Sequence, residues 1–318
     1  MVKELIIRKN VKVLSKNEKR NFIDAIKALK SNTKDKRLGD NRYDDHVIWH
    51  AQTMMIGAGT DNNTNGRNFA HRGPIFLPWH REFIRRFELD LQKEVPGVAL
   101  PYWDWAADAA LRSKADTPDT PAWKQSPIWQ EDFMGGNGDP NNQNIVMDGP
   151  FKDWITQEVD DNGKFSLKGR LTRNFGVDIP TLPTQTDVYN AFCLEFYDTP
   201  YWDVFSKGFR NALEGWPNGP QLHNRVHVWV GGTMEFMTSP NDPVFFLNHC
   251  NVDRLWAYWQ DIRFNRDYPD NESIIDKNGY RIDGLNLNDK MYPWEDDPNG
   301  KTIADVIDHK KLGYVYEK

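Results

Sequence analysis

Eight histidines stand in the 318-residue chain, and seven fall into two groups: His46, His50, His71 and His80, then His223, His227 and His249. Neutral imidazole is the commonest protein ligand for transition metals. His46 and His50 are four residues apart, as are His223 and His227, so on a helix each pair projects from one face toward a common point. The other donors narrow the chemistry. The two cysteines, Cys193 and Cys250, lie 57 residues apart and no Cys-x-x-Cys occurs, which excludes a thiolate zinc site and a disulfide framework. No histidine has a glutamate three residues before it, as a ferritin-type di-iron bundle requires. The stretches His46-Val47-Ile48-Trp49-His50 and His223-Asn224-Arg225-Val226-His227 lack the glutamate of a His-Glu-x-x-His metalloprotease. All-imidazole sites remain, which suit Zn, Cu, Fe or Ni. The residues by themselves leave two three-histidine metals, zinc or copper.

Such ligands need rigid elements beneath them. Helical periodicity is read over 17–30, with Ser15 as cap, and over 43–55, 79–95, 189–213 with a break at Pro200, 221–230 and 249–263. His80 shares a face with Ile84, Phe87 and Leu91, and His249 shares one with Val252, Asp253 and Trp256. Imidazoles therefore lie on the apolar stripes of four helices, with His71 in a loop. Long strands are not evident. Polar, Gly/Pro/Asn/Asp-rich connections at 57–74, 106–150 and 267–300 exceed the usual loop length and are expected to wall a site over a helical scaffold.

Composition sets the class. Length alone would suggest about two domains, but no repeat or low-complexity tract divides the chain, so one domain over 1–318 is expected. The net charge of −6 and scattered Lys and Arg offer no basic stripe, so nucleic acid is not an expected partner. No stretch of 18 apolar residues and no signal-peptide pattern appears, which leads to the expectation of a cytoplasmic protein without membrane association. The 13 Trp, 17 Phe and 11 Tyr are unusually many, and Trp79, Tyr102, Trp103, Trp105, Trp229, Phe245, Phe246, Trp256 and Trp259 flank the histidine motifs or the segments joining them. Bulky rings there would hold ligand helices rigid around a dry site.

Five motifs jointly resemble the tyrosinase family of type 3 copper proteins. They are Tyr43-Asp44-Asp45 ahead of His50; the run from His71 through Arg72-Gly73-Pro74-Ile75-Phe76-Leu77-Pro78-Trp79 to His80-Arg81; Leu100-Pro101-Tyr102-Trp103-Asp104-Trp105; His223-Asn224-x-x-His227-x-x-x-Gly231-Gly232; and Asp242-Pro243-Val244-Phe245-Phe246-Leu247-x-His249. The resemblance spans nearly the whole chain. It implies a mainly α single domain built on an antiparallel four-helix bundle that holds a di-copper site, with long loops and few short strands. It implies that His50, His71 and His80 hold the first copper and that His223, His227 and His249 hold the second, with dioxygen as co-substrate. His46 falls at a non-ligand position and is read as a buried polar residue behind the ligands.

The resemblance also implies roles beyond the ligands. Glu214 matches a glutamate that orders a water, and Asn224 matches its partner, the pair that helps a monophenol lose its proton. Phe245 matches an aromatic position over the second copper and Met237 a residue at the entrance. Asp253 is expected to orient a ligand imidazole or to pair with Arg254. Asn248 stands where much of the family has a second histidine, and Phe69 stands where fungal relatives carry a thioether-forming cysteine, so that bridge cannot form. Cys250 is read as a packing residue. The segment 266–318 is expected to pack on the core and close with Tyr314-Val315-Tyr316, against which Arg8 would stack. With only Glu317 and Lys318 following, no lid domain is expected, and the copper-loaded protein is expected to be active without proteolysis.

The function implied is o-hydroxylation of monophenols and oxidation of o-diphenols to o-quinones. Small phenols are the expected partners, with a separate protein delivering copper. Three rivals stand beside it: a catechol or o-aminophenol oxidase without the monophenol step, a hemocyanin-like oxygen carrier without catalysis, and a zinc hydrolase.

Overall fold

The computed structural model describes residues 5–60, 66–113, 122–263, 268–270 and 273–317. In chain order the elements are β1 (Ile6–Arg8), α1 (Lys16–Ser31), α2 (Arg42–Met55), α3 (Phe76–Glu94), α4 (Trp105–Ala109), β2 (Gly138–Asp139), β3 (Ile145–Val146), β4 (Ile155–Val159), β5 (Phe165–Arg170), α5 (Gln185–Phe192), α6 (Phe209–Glu214), α7 (Leu222–Val230), α8 (Val244–Ile262), α9 (Ile303–Val306) and β6 (Tyr314–Tyr316). The fold is mainly helical, with strands of at most six residues paired two by two. No helix among the described residues is long and apolar enough to cross a membrane.

Local chemistry starts α1 and α2 within one residue of the sequence reading and starts α8 five residues ahead of the 249 read from sequence. Ser15 and Glu18 form a capping box at α1, and Asn41 accepts the Asp44 amide at α2, whose first turn carries Asp44 and Asp45 toward the positive end of the helix dipole. Asp242 accepts the Val244 amide at the start of α8 and forms a two-pronged, fully buried pair with Arg173. The helices α3 and α8 pack on each other through rings, with Phe87 stacked on Phe246 at 3.5 Å between centroids and His80 on His249 at 4.2 Å.

Over 189–213 the break expected at Pro200 widens to residues 193–208. The chain makes α5 over 185–192 and α6 over 209–214, with an irregular stretch between. Pro200 has no amide to donate, and it disfavours helix at Thr199. Side chains of α6 then gather the carbonyls of the stretch: Asn211 donates to Val204 O and Ser206 O, and Arg210 to Asp203 O. Gly208 has no room for a Cβ, which would sit 2.6 Å from Tyr197 O. The long 106–150 connection holds α4 and the β2/β3 pair, and the β4/β5 hairpin is an element the sequence reading did not anticipate.

One continuous cluster of buried apolar residues runs from Val11 to Tyr316. The described part of the C-terminal segment lies against it. Trp294 stacks on Trp79 at 5.3 Å, Trp79 Nε1 donates to Tyr292 O, and Arg81 donates to Val306 O and Ile307 O. The termini meet as β1 pairs in parallel with β6, Ile6 opposite Tyr314 and Arg8 opposite Tyr316. The Arg8 guanidinium lies 3.5 Å from the Tyr314 ring centroid, fully buried and bonded to Glu88.

Asp253 does neither of the things expected of it. Among the described residues it hydrogen-bonds to no ligand imidazole and forms no ion pair with Arg254; it accepts from Arg81, Arg8, Tyr314 and Tyr316. Two guanidiniums and two phenols surrounding one buried carboxylate hold its pKa below the ordinary range despite burial. Arg254 instead pairs with Asp104 and lies over the Tyr102 ring. Cys250 is a packing residue, buried beside Leu100 O, and burial pushes its thiol up to about 12.

Candidate metal centre

Four helices and one loop bring six imidazoles together. His50 comes from α2, His80 from α3, His223 and His227 from α7 and His249 from α8. His71 sits in the loop before α3, where the Asn68 side chain accepts the amides of Ala70 and His71 and fixes the turn. The ring nitrogens form two triads, His50/His71/His80 and His223/His227/His249, each with its ligand atoms within 4.8 Å of one another. The triads adjoin: His80 stacks on His249, and the His71 and His223 centroids are 6.4 Å apart.

The donor set fits a metal pair. Nε2 of His50, His80 and His227 is buried with no hydrogen-bond partner among the described residues, which is costly unless an ion meets it. Nε2 of His223 and of His249 face each other at 3.1 Å, as two nitrogens aimed at one ion would. On the far side of four rings Nδ1 donates to a fixed acceptor, setting tautomer and orientation. His50 donates to Met237 O at 2.7 Å, His80 to Phe76 O at 2.8 Å and His227 to Met234 O at 2.6 Å. His223 donates to Glu214 O at 3.2 Å and Asn224 Oδ1 at 3.0 Å. Desolvation holds the rings neutral, bringing His227 down to about 4 on its own; with added repulsion from neighbouring imidazoles it brings His50 down to about 3 and the other four well below the ordinary value. Neutral imidazoles are the form that binds metal.

His46 lies outside both triads. It is fully buried among Trp49, Phe83, Phe87 and Phe246 and donates from Nε2 to Asp90 at 3.0 Å. One helical turn separates it from His50, yet the four-residue spacing that pairs His223 with His227 does not pair these two on an ion.

Glu214 is fully buried beside the second triad. Its carboxylate accepts the Arg72 amide at 2.6 Å and Arg210 Nη1 at 3.0 Å, while Arg210 also holds Asp198 at 2.7 Å. Burial raises the pKa of Glu214, and that of Asp198 to about 6, against the pull of the shared guanidinium. Asn224 is half-buried and engaged with His223. Phe245 is fully buried, its centroid 4.1 Å from His249 and 5.0 Å from His50. The half-buried Met237 contributes a backbone carbonyl to His50. Asn248, beside the ligand His249, accepts Trp105 Nε1 at 3.1 Å through its side-chain oxygen. Phe69 packs on Tyr292.

Sequence reading missed Phe76 and the carbonyls of Met234 and Met237. Phe76 lies four residues before His80, and its ring contacts His71, His80, His223 and His249 at 4.8 to 6.3 Å. Helical spacing could have flagged it. Nothing in the residue types could flag the carbonyls.

Comparison with known proteins agrees with this geometry. The profile described as the common central domain of tyrosinase matches residues 40–262. The tyrosinase of Streptomyces glaucescens is 40% identical over 310 residues, covering 96% of this chain and 97% of that protein. The grixazone synthase of Streptomyces griseus is 37% identical over 338 residues, covering 98% and 99%. Among solved structures, a polyphenol oxidase variant from Thermothelomyces thermophila superposes with a TM-score of 0.72 at 22% identity, over 99% of this chain and 89% of its own, which speaks for the fold.

Proposed function

The chain belongs to the tyrosinase family, and on that premise we propose that it is a binuclear copper phenol oxidase. It hydroxylates monophenols at the ortho position and oxidises o-diphenols to o-quinones, one dioxygen converting a monophenol to an o-quinone and a water. The observation that carries this reading is the pair of adjoining triads of neutral, buried imidazoles, three rings to an ion. Three protein ligands leave room for substrate and oxygen. The copper pair, with dioxygen, supplies the redox chemistry; the chain's residues bind, orient and move a proton.

Solvent reaches the triads beside His71, 7% exposed, and the half-buried His227; the other four ligands are more deeply covered. Phe245, whose ring lies 4.1 Å from His249 and 5.0 Å from His50, and Met237, whose carbonyl holds His50, are assigned to the substrate. At pH 7 a phenol of pKa near 10 loses its proton at a cost of about 4 kcal/mol. Glu214, whose proton affinity burial has raised, is assigned as the acceptor through a water. Asn224 holds His223 with Oδ1, and its Nδ2 is assigned to that water.

Because five of the six ligands are buried, a separate protein is proposed to deliver the copper. The exposed free thiol of Cys193 suits a reducing compartment, and we place the protein in the cytoplasm. The test is to load the copper-free chain anaerobically, count the metal, admit oxygen, and follow quinone absorbance on a matched monophenol and catechol. Two coppers and turnover of both substrates are expected. Catechol turnover alone selects the oxidase without the monophenol step, and one zinc without copper refutes the proposal.

A further inference from the structure

The helix α3 has two working faces. His80, Ile84, Phe87 and Leu91 are buried toward the imidazoles and the core, and the opposite stripe, Glu82, Arg85, Arg86, Leu89 and Lys93, borders a recess of about 360 Å³. The start of α2, the turn ahead of it and the segment 297–301 supply the other walls, and no ligand of either triad belongs to it. Six cationic and three acidic side chains line the recess, in a chain whose net charge is −6. Its carboxylates are shared among the cations. Asp297 takes Arg86 at 2.9 Å and Arg37 at 3.7 Å, and Asp90 takes Arg42 at 2.7 Å, Lys93 at 2.8 Å and His46 at 3.0 Å. Glu82 takes Arg86 at 2.8 Å. Asp45 behind Arg42 is a fourth carboxylate, which still leaves the cations in excess.

Two of the cations lack acceptors. Arg85 Nη1 stops 3.5 Å from Glu82 Oε2, too far for a good hydrogen bond, and among the described residues neither Arg85 Nε nor Glu82 Oε2, both buried, has a hydrogen-bond partner. The half-buried Lys301 has no carboxylate at ion-pair distance among the described residues. A buried N–H without an acceptor is costly, and the oxygens of a tetrahedral oxyanion match the planar fork of a guanidinium. We propose that the recess is a binding site for inorganic phosphate, with Arg85 and Lys301 as its principal contacts. Excess positive charge selects an anion, and a polar, three-walled recess favours a small oxyanion over an apolar ligand. Held from α3 on one side and from Lys301 on the other, the ion ties the C-terminal segment to the helix that carries His80.

Isothermal titration calorimetry of the full chain with inorganic phosphate, at constant ionic strength set by chloride, tests the site. One ion per chain is expected in copper-loaded and copper-free protein alike, because the recess lies across α3 from the triads. Arg85→Gln and Lys301→Gln should each weaken binding by about tenfold or more, the loss of one charge-assisted hydrogen bond. Lys168→Gln, which removes a charge from the exposed side of the β4/β5 hairpin, should leave it unchanged. Phosphate should also raise the urea midpoint of the native chain, and raise it less in Arg85→Gln. Circular dichroism confirms the fold of each variant. Absence of saturable binding, binding that requires copper, or an equal loss in Lys168→Gln overturns the proposal, as do folded Arg85→Gln and Lys301→Gln proteins that bind phosphate like the native chain.

Discussion

Glu214→Gln separates a role in the reaction from a role in the fold. In the native chain one guanidinium, Arg210, serves two fully buried carboxylates, Asp198 and Glu214, so the trio carries a net negative charge when both are ionised. The repulsion appears at Asp198, whose pKa rises to about 6, first through burial and further through Glu214, against the pull of Arg210. A carboxyl that binds its proton more tightly folded than unfolded destabilises the fold once ionised. Stability from this group is greatest below pH 4, falls as pH rises, and the penalty is complete above pH 6; two units correspond to about 3 kcal/mol. Glutamine at 214 makes the trio neutral and removes the like charge. It also turns an amide N–H toward Arg210, a mismatch of about 1–3 kcal/mol. The opposed effects leave stability within about 2 kcal/mol of native at pH 7, with a shallower fall between pH 4 and 6. Activity behaves differently, because a lost proton acceptor costs about 100-fold or more. The assay is initial quinone formation from a monophenol and the matching catechol, beside urea unfolding at several pH values and copper counting. The monophenol rate should fall at least about 100-fold and the catechol rate by less than tenfold, with two coppers retained. Equal losses on both substrates, or loss of copper, would refute the reasoning.

Asn224→Ala removes the Oδ1 acceptor from His223 Nδ1, so copper affinity at the second triad should fall by about 10 to 100-fold by competition with a chelator. His46→Gln should keep two coppers by metal analysis, because this ring bonds Asp90 and lies outside both triads; loss of one ion would show that it is a ligand. Arg81→Met takes one of two guanidiniums from the buried Asp253 carboxylate, leaving Arg8, Tyr314 and Tyr316, and vacates the face of Trp256, a loss of about 3 kcal/mol in urea unfolding, while activity per folded molecule stays near native. Phe76→Leu empties space among four imidazoles; copper should leave both triads faster by stopped-flow chelation, and unchanged release would remove Phe76 from the centre.

The helices that carry ligands were legible in the sequence because their two signals agree. Apolar spacing places α2, α3 and α7 to within about three residues and α8 to within about five, and the histidine spacing puts the imidazoles on the same stripes. Where signals compete, reading fails. The apolar run over 189–213 looks helical, yet Pro200 and the carbonyl-gathering side chains of Arg210 and Asn211 cut it into two short helices. Asp253 keeps helical register with His249, but the register does not show that Arg8 and Arg81 reach it first from 245 and 172 residues away.

Residue types and their spacing carry the ligand chemistry: imidazoles without thiolates, at helical spacings, in motifs that resemble one family. They also determine the Arg8 closure on Tyr314 and the packing role of Cys250. Which ring nitrogens are free, and what stands behind them, follows from packing in three dimensions. That packing separates His46, tied to Asp90, from His50, one turn away, and it gives His50 and His227 acceptors from one arc of backbone. The physical reason is that a donor's type is fixed by its residue, whereas its partner is a matter of distance. The partners here are carbonyls, which every residue carries alike, so no residue type could announce them.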